Sequence, residues 1–575
     1  MYVLGIWDGH DSGAAVVKDD KIIFAINEER LTRRKLEVSF PEKSIQACLK
    51  YLSLNIGDIN HIGISTYDFA KTLARIFPSF KEEYYLIRRR KREPKSFFRL
   101  KKKLKYKLTE IGPTEFYRWI SSSLVSKKLK ILGFKNFKLH LLNHHLCHAC
   151  AAAFCSGFDD CIVLTLDGVG DGLSGTISIF KNKKIKPLSF ISSRNSLGIF
   201  FEHVTNLLNM RELEDEGKVM AMANYAYPIE DNENPMMDFF SVNNLNINSR
   251  FRTLRMYSEL KKILWKFPSE QFAFMAQRVL EVKILELVKN AISQTKIHKI
   301  AFSGGVASNI KVNMLIKNLP EIADCFVFPH MGDGGLALGA AFLVNHQIKG
   351  ITSYQLDSLF LGPEYSNHYI LNTLEKYDFK YRYYKDIEKK VAKLISDGKI
   401  VLWFSGRMEA GPRALGGRSI LARADSLAIK NRLNLILKRR AWFQPFCPSL
   451  LFEDAKKYFV NLKGKYDQYM TMGYIVNGNM REIKGVINVD GSCRPQIIPG
   501  NDHNHRYIRL LKEIKKKLGT SVVLNTSFNI HGEPIVCSPK DALEALVKTG
   551  CDYLAIENYL VWNKSVRGEK YQNGN

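Results

Sequence analysis

The chain has 575 residues, and its 85 Lys and Arg against 57 Asp and Glu give a formal net charge of +28. A composition that is 46% hydrophobic and 25% charged excludes a wholly disordered or fibrous chain, and this length predicts roughly two to four domains. No run approaches the ~18 apolar residues of a membrane-spanning helix. Because the first residues lack the basic region of a signal peptide, and the cysteines are too sparse for a disulfide scaffold, we expect a cytoplasmic protein.

Two segments predict the same order of elements. In the first, a strand from Val3 to Trp7 precedes the turn Asp8-Gly-His-Asp-Ser-Gly, a second strand and a Lys-rich hairpin. In the second, the strand that begins at Ile162 precedes the turn Asp167-Gly-Val-Gly-Asp-Gly, another strand and another Lys-rich hairpin. Because the elements match in order, we predict a duplicated α/β half-domain.

Between these repeats lies a basic insertion, about residues 70–133, which we predict to be mainly helical. Its segment Arg88 to Lys107 contains twelve Lys and Arg and one acidic residue. Such a run is typical of a surface that binds nucleic acid or another polyanion, or of a solvated helical insertion. We favour the solvated insertion, whose apolar side would consist of Phe97, Phe98, Leu100 and Leu104.

Strands followed by glycine turns recur after a predicted helix over Gln271–Ala291. Lys299-Ile-Ala-Phe leads into Ser303-Gly-Gly-Val, and Cys325-Phe-Val-Phe leads to Gly332-Asp-Gly-Gly. This succession is typical of a nucleotide-binding α/β domain, because glycine lets backbone amides approach phosphate oxygens. The periodicity is lost over residues 351–367, so we predict two domains, residues 1–355 and 365–575.

A pair of histidines in the segment Asn143-His-His-Leu-Cys-His-Ala-Cys predicts a metal site. His144 and His148 lie four residues apart and would share one face of a helix. Asp167 and Asp333, each in a glycine turn, can supply carboxylates, and two His with two Asp suit Fe(II), Mn(II) or Zn(II). The overlapping C-x-x-C motif leaves a zinc site with cysteine ligands open, although its alanine neighbours favour a core position.

Cations in glycine and proline turns characterise the second domain. They occur in Gly411-Pro-Arg-Ala-Leu-Gly-Gly-Arg-Ser, in Lys438-Arg-Arg-Ala-Trp-Phe-Gln-Pro-Phe and in Asp490-Gly-Ser-Cys-Arg-Pro-Gln, and Leu524-Asn-Thr-Ser-Phe-Asn adds amide and hydroxyl groups. This combination is what a polyphosphate site needs. Ordinary surface arginines are the alternative, which we favour less because these residues lie in compact turns.

Together the motifs resemble the O-carbamoyltransferase family that includes NodU, CmcH and the tobramycin-carbamoylating enzyme, over nearly the whole chain. The matching motifs are His10-Asp-Ser, Glu28-Glu-Arg-Leu-Thr-Arg-Arg-Lys, Asn143-His-His-Leu-Cys-His-Ala, Gly217-Lys-Val-Met, Ser303-Gly-Gly-Val-Ala-Ser-Asn, Gly332-Asp-Gly-Gly, Gly411-Pro-Arg-Ala-Leu-Gly and Leu524-Asn-Thr-Ser-Phe-Asn. The resemblance implies an α/β protein. Its N-terminal domain would have a duplicated actin-like ATPase fold, close to the tRNA threonylcarbamoyltransferase, and its C-terminal domain would be YrdC-like.

The resemblance also implies an activity. The YrdC-like domain would convert carbamoyl phosphate and ATP, with Mg²⁺, into carbamoyl adenylate and release phosphate and pyrophosphate. The first domain would pass the carbamoyl group to a hydroxyl of a small-molecule acceptor, a sugar or a natural product, near bound Fe(II) or another first-row metal. Neither a membrane nor nucleic acid is expected as a partner, and a homodimer is compatible with the resemblance.

The family's functional residues carry over to numbered positions here. The metal ligands would be His144, His148, Asp167 and Asp333, and the catalytic residues would be His10, Asp11 and His144. ATP and carbamoyl phosphate would contact Arg413, Arg418, Lys438, Arg494, Asn525, Ser527 and Asn529. Carbamoyl adenylate would contact Lys218, Ser303, Gly304, Gly305, Asn309 and Gly332 in the first domain. The acceptor would contact His10 and Lys35.

The sequence departs from the family pattern at two turns. Gln444 stands where an arginine is expected, which removes one cation from the second domain, and Ala221-Met-Ala-Asn replaces a glycine-containing turn after Lys218. Two alternatives therefore stay open. One is a tRNA-modifying carbamoyl-transfer enzyme that grips phosphates with residues 88–107, and the other is a nucleotide-binding protein without turnover.

Overall fold

The computed structural model describes residues 1–94, 106–460, 462, 466–478, 480–500 and 504–563, and it divides into two compact units. The first unit comprises Met1–Thr32 and Leu36–Leu356, and the second comprises Arg33–Lys35 and the described residues from Asp357 onward. The predicted apolar side of the basic run, Phe97, Phe98, Leu100 and Leu104, lies outside the described residues.

The first unit contains two five-stranded sheets and a separate hairpin. The strands are β1 (Tyr2–Trp7), β2 (Gly13–Lys18), β3 (Lys21–Asn27), β4 (Ile59–Ser65), β5 (Lys138–Leu142), β6 (Cys161–Gly170), β7 (Leu173–Lys181), β8 (Lys184–Ser192), β9 (Phe240–Asn243), β10 (Asn246–Ser249), β11 (Lys299–Ser303) and β12 (Asp324–Val327). One sheet has the order β3-β2-β1-β4-β5, and the other has the order β8-β7-β6-β11-β12.

The two sheets share one topology. In each, the first three strands form an antiparallel meander, and the last two strands are parallel to the first. The predicted duplication is therefore confirmed, and with it the α/β class and the actin-like arrangement of the first unit.

The helices of the first unit cover these sheets and include the predicted helix over 271–291. They are Glu29–Thr32, Glu42–Tyr51, Phe69–Ile76, Pro78–Arg88, Glu115–Ile131, His144–Ser156, Leu197–Leu207, Glu216–Met222, Thr253–Leu264, Ser269–Thr295, Ile310–Lys317 and Leu336–Lys349. No helix of the described residues is long and apolar enough to span a bilayer.

The helix His144–Ser156 is positioned by small residues. Asn143 caps it by accepting a hydrogen bond from the Leu146 amide at 3.0 Å, and Gly157 ends it in the left-handed region at φ 69°. The helix packs against Leu336–Lys349, where a Cβ on Gly339 would lie only 2.3 Å from a backbone oxygen of the first helix. This close approach places the histidines beside the turn that precedes the second helix.

The second unit is an α/β domain built on one mixed sheet. Its strands are β13 (Tyr381–Tyr383), β14 (Val401–Phe404), β15 (Arg418–Arg423), β16 (Cys447–Leu451), β17 (Tyr474–Ile475), β18 (Ser492–Cys493), β19 (Gln496–Ile498), β20 (Val523–Ser527), β21 (Tyr553–Ile556) and β22 (Tyr559–Trp562). Eight of them form a sheet of order β13-β22-β21-β14-β15-β20-β16-β19, and β17 pairs with β18.

The helices of this unit are Asn367–Lys376, Ile387–Ser396, Leu427–Arg432, Phe452–Tyr458, His505–Leu518 and Pro539–Thr549. Two of them, Ile387–Ser396 and His505–Leu518, contribute with Trp403 to a buried apolar core. The cation-bearing turns lie at strand ends outside this core.

Candidate functional site

Two histidines and two aspartates converge in the first unit. His144 Nε2 lies 3.1 Å from Asp167 Oδ2 and 3.6 Å from Asp333 Oδ1. His148 Nε2 lies 3.4 and 3.5 Å from the same two oxygens. The four ligating atoms lie within 4.8 Å of one another. The structure thus brings together the four residues that were predicted to bind a metal, and we call them the His/Asp cluster.

The neighbours of His148 favour a positive charge in this cluster. Ser303 Oγ donates a hydrogen bond to the Met331 carbonyl oxygen at 3.1 Å. It therefore accepts a hydrogen bond from His148 Nδ1, which lies 3.2 Å away. The buried Nε2 atom then faces two carboxylates without a normal hydrogen-bond partner. Although burial alone would lower it, Asp167 and Asp333 raise the pKa of His148 to about 9. A divalent cation bound at this position would supply the same positive charge beside the two carboxylates.

Backbone amides orient the carboxylate of Asp167. Its Oδ1 atom accepts hydrogen bonds from the amides of Gly168 at 2.8 Å and Gly305 at 3.1 Å, which leaves Oδ2 toward the histidines. Burial would raise its pKa, but the hydrogen bond with His144 and the charge of His148 hold the pKa of Asp167 well below its usual value. A Cβ on Gly305 would lie 2.8 Å from Asp167 Oδ1, so glycine is required for this approach.

Two further side chains, not predicted from the sequence, position His144. Thr66 Oγ1 lies 3.0 Å from His144 Nδ1, and Asp171 Oδ2 accepts a hydrogen bond from the His144 amide at 2.7 Å. Asp171 closes the same glycine turn that holds Asp167, so the turn did carry a signal for it. Thr66 follows β4 and had no such signal.

His10 and Asp11, predicted to be catalytic, take different positions. His10 Nδ1 lies 3.5 Å from Asp333 Oδ2, and the imidazole stacks on Tyr85 with 5.3 Å between ring centroids. Asp11 instead accepts from Asn27 Nδ2 at 3.2 Å, and burial, followed by the charge of Glu29, raises its pKa to about 8. His10 therefore adjoins the His/Asp cluster, whereas Asp11 is engaged with Asn27.

The cysteines that suggested a zinc alternative lie in the protein core. Cys147 and Cys150 are buried, and burial raises the pKa of both thiols. Among the described residues, the His/Asp cluster is the one group of His, Cys, Asp and Glu side chains with the spacing of metal ligands. The geometry favours the histidine and aspartate set over the cysteines.

The residues predicted to contact the adenylate surround the same turns. Ser303, Gly304 and Gly305 follow β11, and Gly332 precedes Asp333. Asn309 caps the helix Ile310–Lys317 and exchanges hydrogen bonds with Gln277 at 2.8 and 3.2 Å.

A cavity of about 400 Å³ adjoins Asn309 and is lined in part by Gln277, Arg278 and Lys311. Lys218, by contrast, is ion-paired with Asp215 at 2.9 Å. Sequence reasoning did not select Gln277, because an isolated glutamine in a long helix carries no functional signal.

A larger cavity, of about 540 Å³, lies over the His/Asp cluster. His144, Asp167 and Asp333 line it together with His10. Its wall includes the helices Phe69–Ile76 and Pro78–Arg88 and the residues Tyr106, Leu108 and Thr109, all at or within the basic insertion.

The prediction of a solvated segment is wrong for Arg88 and Arg89, whereas Arg90 to Pro94 are exposed as predicted. Arg88 is 8% exposed and Arg89 is 2% exposed, because Arg88 is ion-paired with Glu202 and Glu212 and Arg89 with Glu214. These acidic partners lie more than a hundred residues further along the chain, so the local charge run did not reveal them.

Three arginines gather in the second unit. Arg494 places Nε and Nη2 at 3.2 and 3.1 Å from Cys447 Sγ. Burial and the nearby charge of Arg494 lower the pKa of Arg413 to about 9, and burial lowers that of Arg440 to about 10. In the described part of the chain, none of the three forms an ion pair with a carboxylate. An anion would relieve their mutual repulsion.

The other predicted phosphate contacts are held within the protein. Lys438 Nζ donates to the Asn529 side chain at 2.7 Å and to Ser527 Oγ at 3.2 Å, and Asn525 Nδ2 donates to Ser449 Oγ at 2.9 Å. These contacts keep the turn after β20 in place.

Arg418 does not join the three arginines. Its side chain is fully buried, donates to the carbonyl oxygens of Ser405, Gly406 and Gly417 at 3.0 to 3.2 Å, and lies 3.5 Å from the centroid of the Phe404 ring. The prediction that Arg418 binds phosphate is corrected, because its guanidinium already serves backbone carbonyls. Arg440, which was not selected, lies near Arg494 and itself donates to Asn434 Oδ1 at 2.7 Å and to the Pro445 carbonyl oxygen at 3.2 Å.

Lys35, predicted to contact the acceptor with His10, belongs to the segment 33–35 that clusters with the second unit, whereas His10 belongs to the first. Burial, then Arg440 and Lys35, lower the pKa of Lys438. The structure thus places Lys35 near the cationic turns.

Comparisons with known proteins agree with these features. Residues 2–342 match the model of the carbamoyltransferase N-terminus, and residues 392–563 match that of the carbamoyltransferase C-terminus. An uncharacterized protein of Methanocaldococcus jannaschii is 33% identical over 97% of this chain and 99% of its own length. The nodulation protein NolNO of Sinorhizobium fredii is 30% identical over 98% of this chain and 80% of its own.

Among solved structures, full-length HypF in the phosphate- and nucleotide-bound form matches 61% of this chain and 56% of its own at 12% identity, with a TM-score of 0.35.

The family models together cover most of the sequence, on both sides of the boundary between the two units. The chain therefore belongs to the carbamoyltransferase family, and the protein is a carbamoyltransferase, as its motifs predicted.

Proposed function

We propose that the protein is an ATP-dependent O-carbamoyltransferase that works in two steps. In the first step, carbamoyl phosphate, ATP and water give carbamoyl adenylate, pyrophosphate and phosphate. In the second, a hydroxyl oxygen of the acceptor bonds to the carbamoyl carbon, the bond from that carbon to the AMP oxygen breaks, and a base takes the hydroxyl proton. Water removes phosphate from carbamoyl phosphate and leaves carbamate, whose carbon has no good leaving group, and adenylation of the carbamate oxygen supplies one in AMP.

The three arginines of the second unit support the first step. Arg413, Arg440 and Arg494 are mutually repelling cations around Cys447, and Arg413 Nε is buried without a hydrogen-bond partner. Such a group suits the phosphates of ATP and carbamoyl phosphate, the former with Mg²⁺. Arg440 also supplies a cation near Gln444, where the family pattern expects an arginine, so Gln444 is weak support for a protein without turnover.

The first unit supports the second step, and the His/Asp cluster under the larger cavity is the observation that carries the proposal. His144, His148, Asp167 and Asp333 would hold Fe(II) or a similar metal, which when bound would polarise a carbonyl or phosphoryl oxygen. The glycine turns at 303–305 and 332, with Asn309, would hold the adenylate. His10, whose Nδ1 lies 3.5 Å from Asp333 Oδ2 at the cavity, is the base proposed to accept the hydroxyl proton.

The tRNA-modifying alternative loses part of its basis. It required residues 88–107 to grip phosphates, but Arg88 and Arg89 are buried and ion-paired with glutamates. A small molecule that fits the cavity is the better-supported acceptor.

The proposal is tested by following ATP labelled in its terminal phosphates. Purified protein should release pyrophosphate and AMP only when carbamoyl phosphate is present, and a hydroxyl acceptor should gain the mass of one carbamoyl group. Release of ADP instead of pyrophosphate, or release that does not depend on carbamoyl phosphate, would contradict the adenylation step. Substitutions in the group of three arginines need a control at an exposed arginine. Arg382→Ala, on the short strand β13, serves as this control, whereas Arg418 is unsuitable because its side chain is buried.

A further inference from the structure

The cavity over the His/Asp cluster has a mainly apolar wall. We call this space, of about 540 Å³, the acceptor cavity. Its size lies in the range of about 300 to 1000 Å³ that accommodates small-molecule ligands. Six wall residues illustrate its chemistry: Trp7, Leu73, Phe80, Tyr84, Tyr106 and Ile199. Aromatic and aliphatic side chains predominate above a floor that carries the polar groups.

Three of the charged groups in this wall, Asp68, Lys71 and Arg88, already have polar partners within the protein. Lys71 Nζ lies 2.8 Å from Asp8 Oδ1 and 3.8 Å from the centroid of the Trp7 ring. Arg88 is ion-paired with Glu202. The Asp68 carboxylate accepts hydrogen bonds from the amides of Lys71 and Asp171. A highly charged acceptor would have to displace these buried contacts, which is costly.

Two aromatic rings that line the cavity are exposed. Phe77 is 57% exposed and Phe80 is 55% exposed, and both line the cavity. Exposed aromatic side chains that border a concave site are typical of apolar ligand contacts. The floor offers one polar end, at His10 and Asp333, where a hydroxyl can be held.

We propose that the acceptor is an uncharged alcohol whose hydroxyl lies at His10 and whose body is predominantly apolar and contains an aromatic or extended hydrocarbon portion. This inference rests on the proposed function, since it assigns the cavity to the acceptor. It excludes polycationic aminoglycosides and free sugars as the favoured substrates of this chain. The hydroxyl is placed at His10, and most of the affinity comes from burying carbon surface against the aromatic and aliphatic side chains of the wall.

Binding is tested by isothermal titration calorimetry on the full chain without nucleotide. Three compounds are compared: 2-naphthylmethanol, methyl β-glucoside and kanamycin. We expect 2-naphthylmethanol to bind most tightly. Phe80→Ser should weaken its binding about tenfold, because one aromatic contact surface is lost. Ile76→Ser is the matched control, since Ile76 is 44% exposed on the preceding helix and does not line the cavity.

Tighter binding of methyl β-glucoside or kanamycin would overturn the inference, as would failure of 2-naphthylmethanol to bind. Equal effects of Phe80→Ser and Ile76→Ser would also overturn it. Because no nucleotide is present, this test is separate from the proposed function. If carbamoyl phosphate-dependent pyrophosphate release fails while apolar binding holds, the two-step reaction is wrong and the cavity assignment to an apolar ligand stands.

Discussion

Replacing Ser303 by alanine should weaken metal binding without unfolding the protein. Ser303 Oγ accepts from His148 Nδ1 and so holds the imidazole with Nε2 toward Asp167 and Asp333. Ser303→Ala removes this acceptor. The Met331 carbonyl oxygen loses the hydrogen bond from the Ser303 hydroxyl but keeps a second one from the Gly304 amide at 2.8 Å. The change therefore acts mainly on the orientation and proton position of His148.

The size of the effect follows from the role of such outer hydrogen bonds. Removing the partner of a metal-ligating histidine typically costs about 10- to 100-fold in metal affinity, which is about 1.4 to 2.7 kcal/mol. The loss of one neutral hydrogen bond should lower the free energy of unfolding by only about 1 kcal/mol. Metal affinity should therefore change more than folding stability.

Zn(II) affinity is measured by competition with a chromophoric chelator, and folding by urea denaturation. Ser308→Ala is the matched control, because Ser308 lies in the same turn, is exposed, and donates only to the Gly305 carbonyl in the contacts described. Unchanged Zn(II) affinity in Ser303→Ala, or an equal loss in Ser308→Ala, would refute the reasoning.

Three further outcomes are expected. Arg413→Ala should slow carbamoyl phosphate-dependent pyrophosphate release by about 30- to 1000-fold, which is a loss of about 2–4 kcal/mol in transition-state stabilisation. His148→Ala should still release pyrophosphate but should form no carbamoylated product. Equal loss of pyrophosphate release in both variants would contradict two separate sites. Arg88→Met leaves the buried Glu212 and the partly buried Glu202 without their cation and should lower the free energy of unfolding by about 3–5 kcal/mol in urea titrations, while Arg92→Met, at an exposed position, should change it little. The pKa of about 9 keeps a proton on His148 at neutral pH, and a metal must displace this proton in order to bind. Zn(II) affinity should therefore rise about tenfold per pH unit up to that pKa and then level off. An affinity independent of pH would contradict this competition between metal and proton.

The sequence predicted those features that depend on local periodicity. Helical spacing alone placed His144 and His148 on one face, and the glycine turns marked the strand ends where Asp167 and Asp333 lie. The repeat of strand, turn, strand and hairpin predicted two sheets of one topology.

Features that depend on distant partners were not predictable in this way. The burial of Arg88 follows from Glu202 on the helix Leu197–Leu207 and Glu212 in the turn after that helix, which a run of basic residues does not indicate. Arg418 and Arg494 occupy similar turns, yet one serves backbone carbonyls and the other lies against Cys447. Whether an arginine is structural or available to a ligand is decided by tertiary contacts.

The shared topology of the two sheets has a consequence for the charge balance around the aspartates of the first unit. Asp8 follows β1 as Asp167 follows the paired part of β6, so the two aspartates are pseudosymmetric counterparts. Asp8 faces Lys71 Nζ at 2.8 Å and Arg75 Nε at 2.8 Å, both from the inserted helix Phe69–Ile76. The carboxylate of Asp8 is thus balanced by two basic side chains, whereas that of Asp167 faces His144 and His148. The two halves share one topology but differ in the groups that surround their equivalent aspartates, so the environment of Asp167 has no copy in the other half.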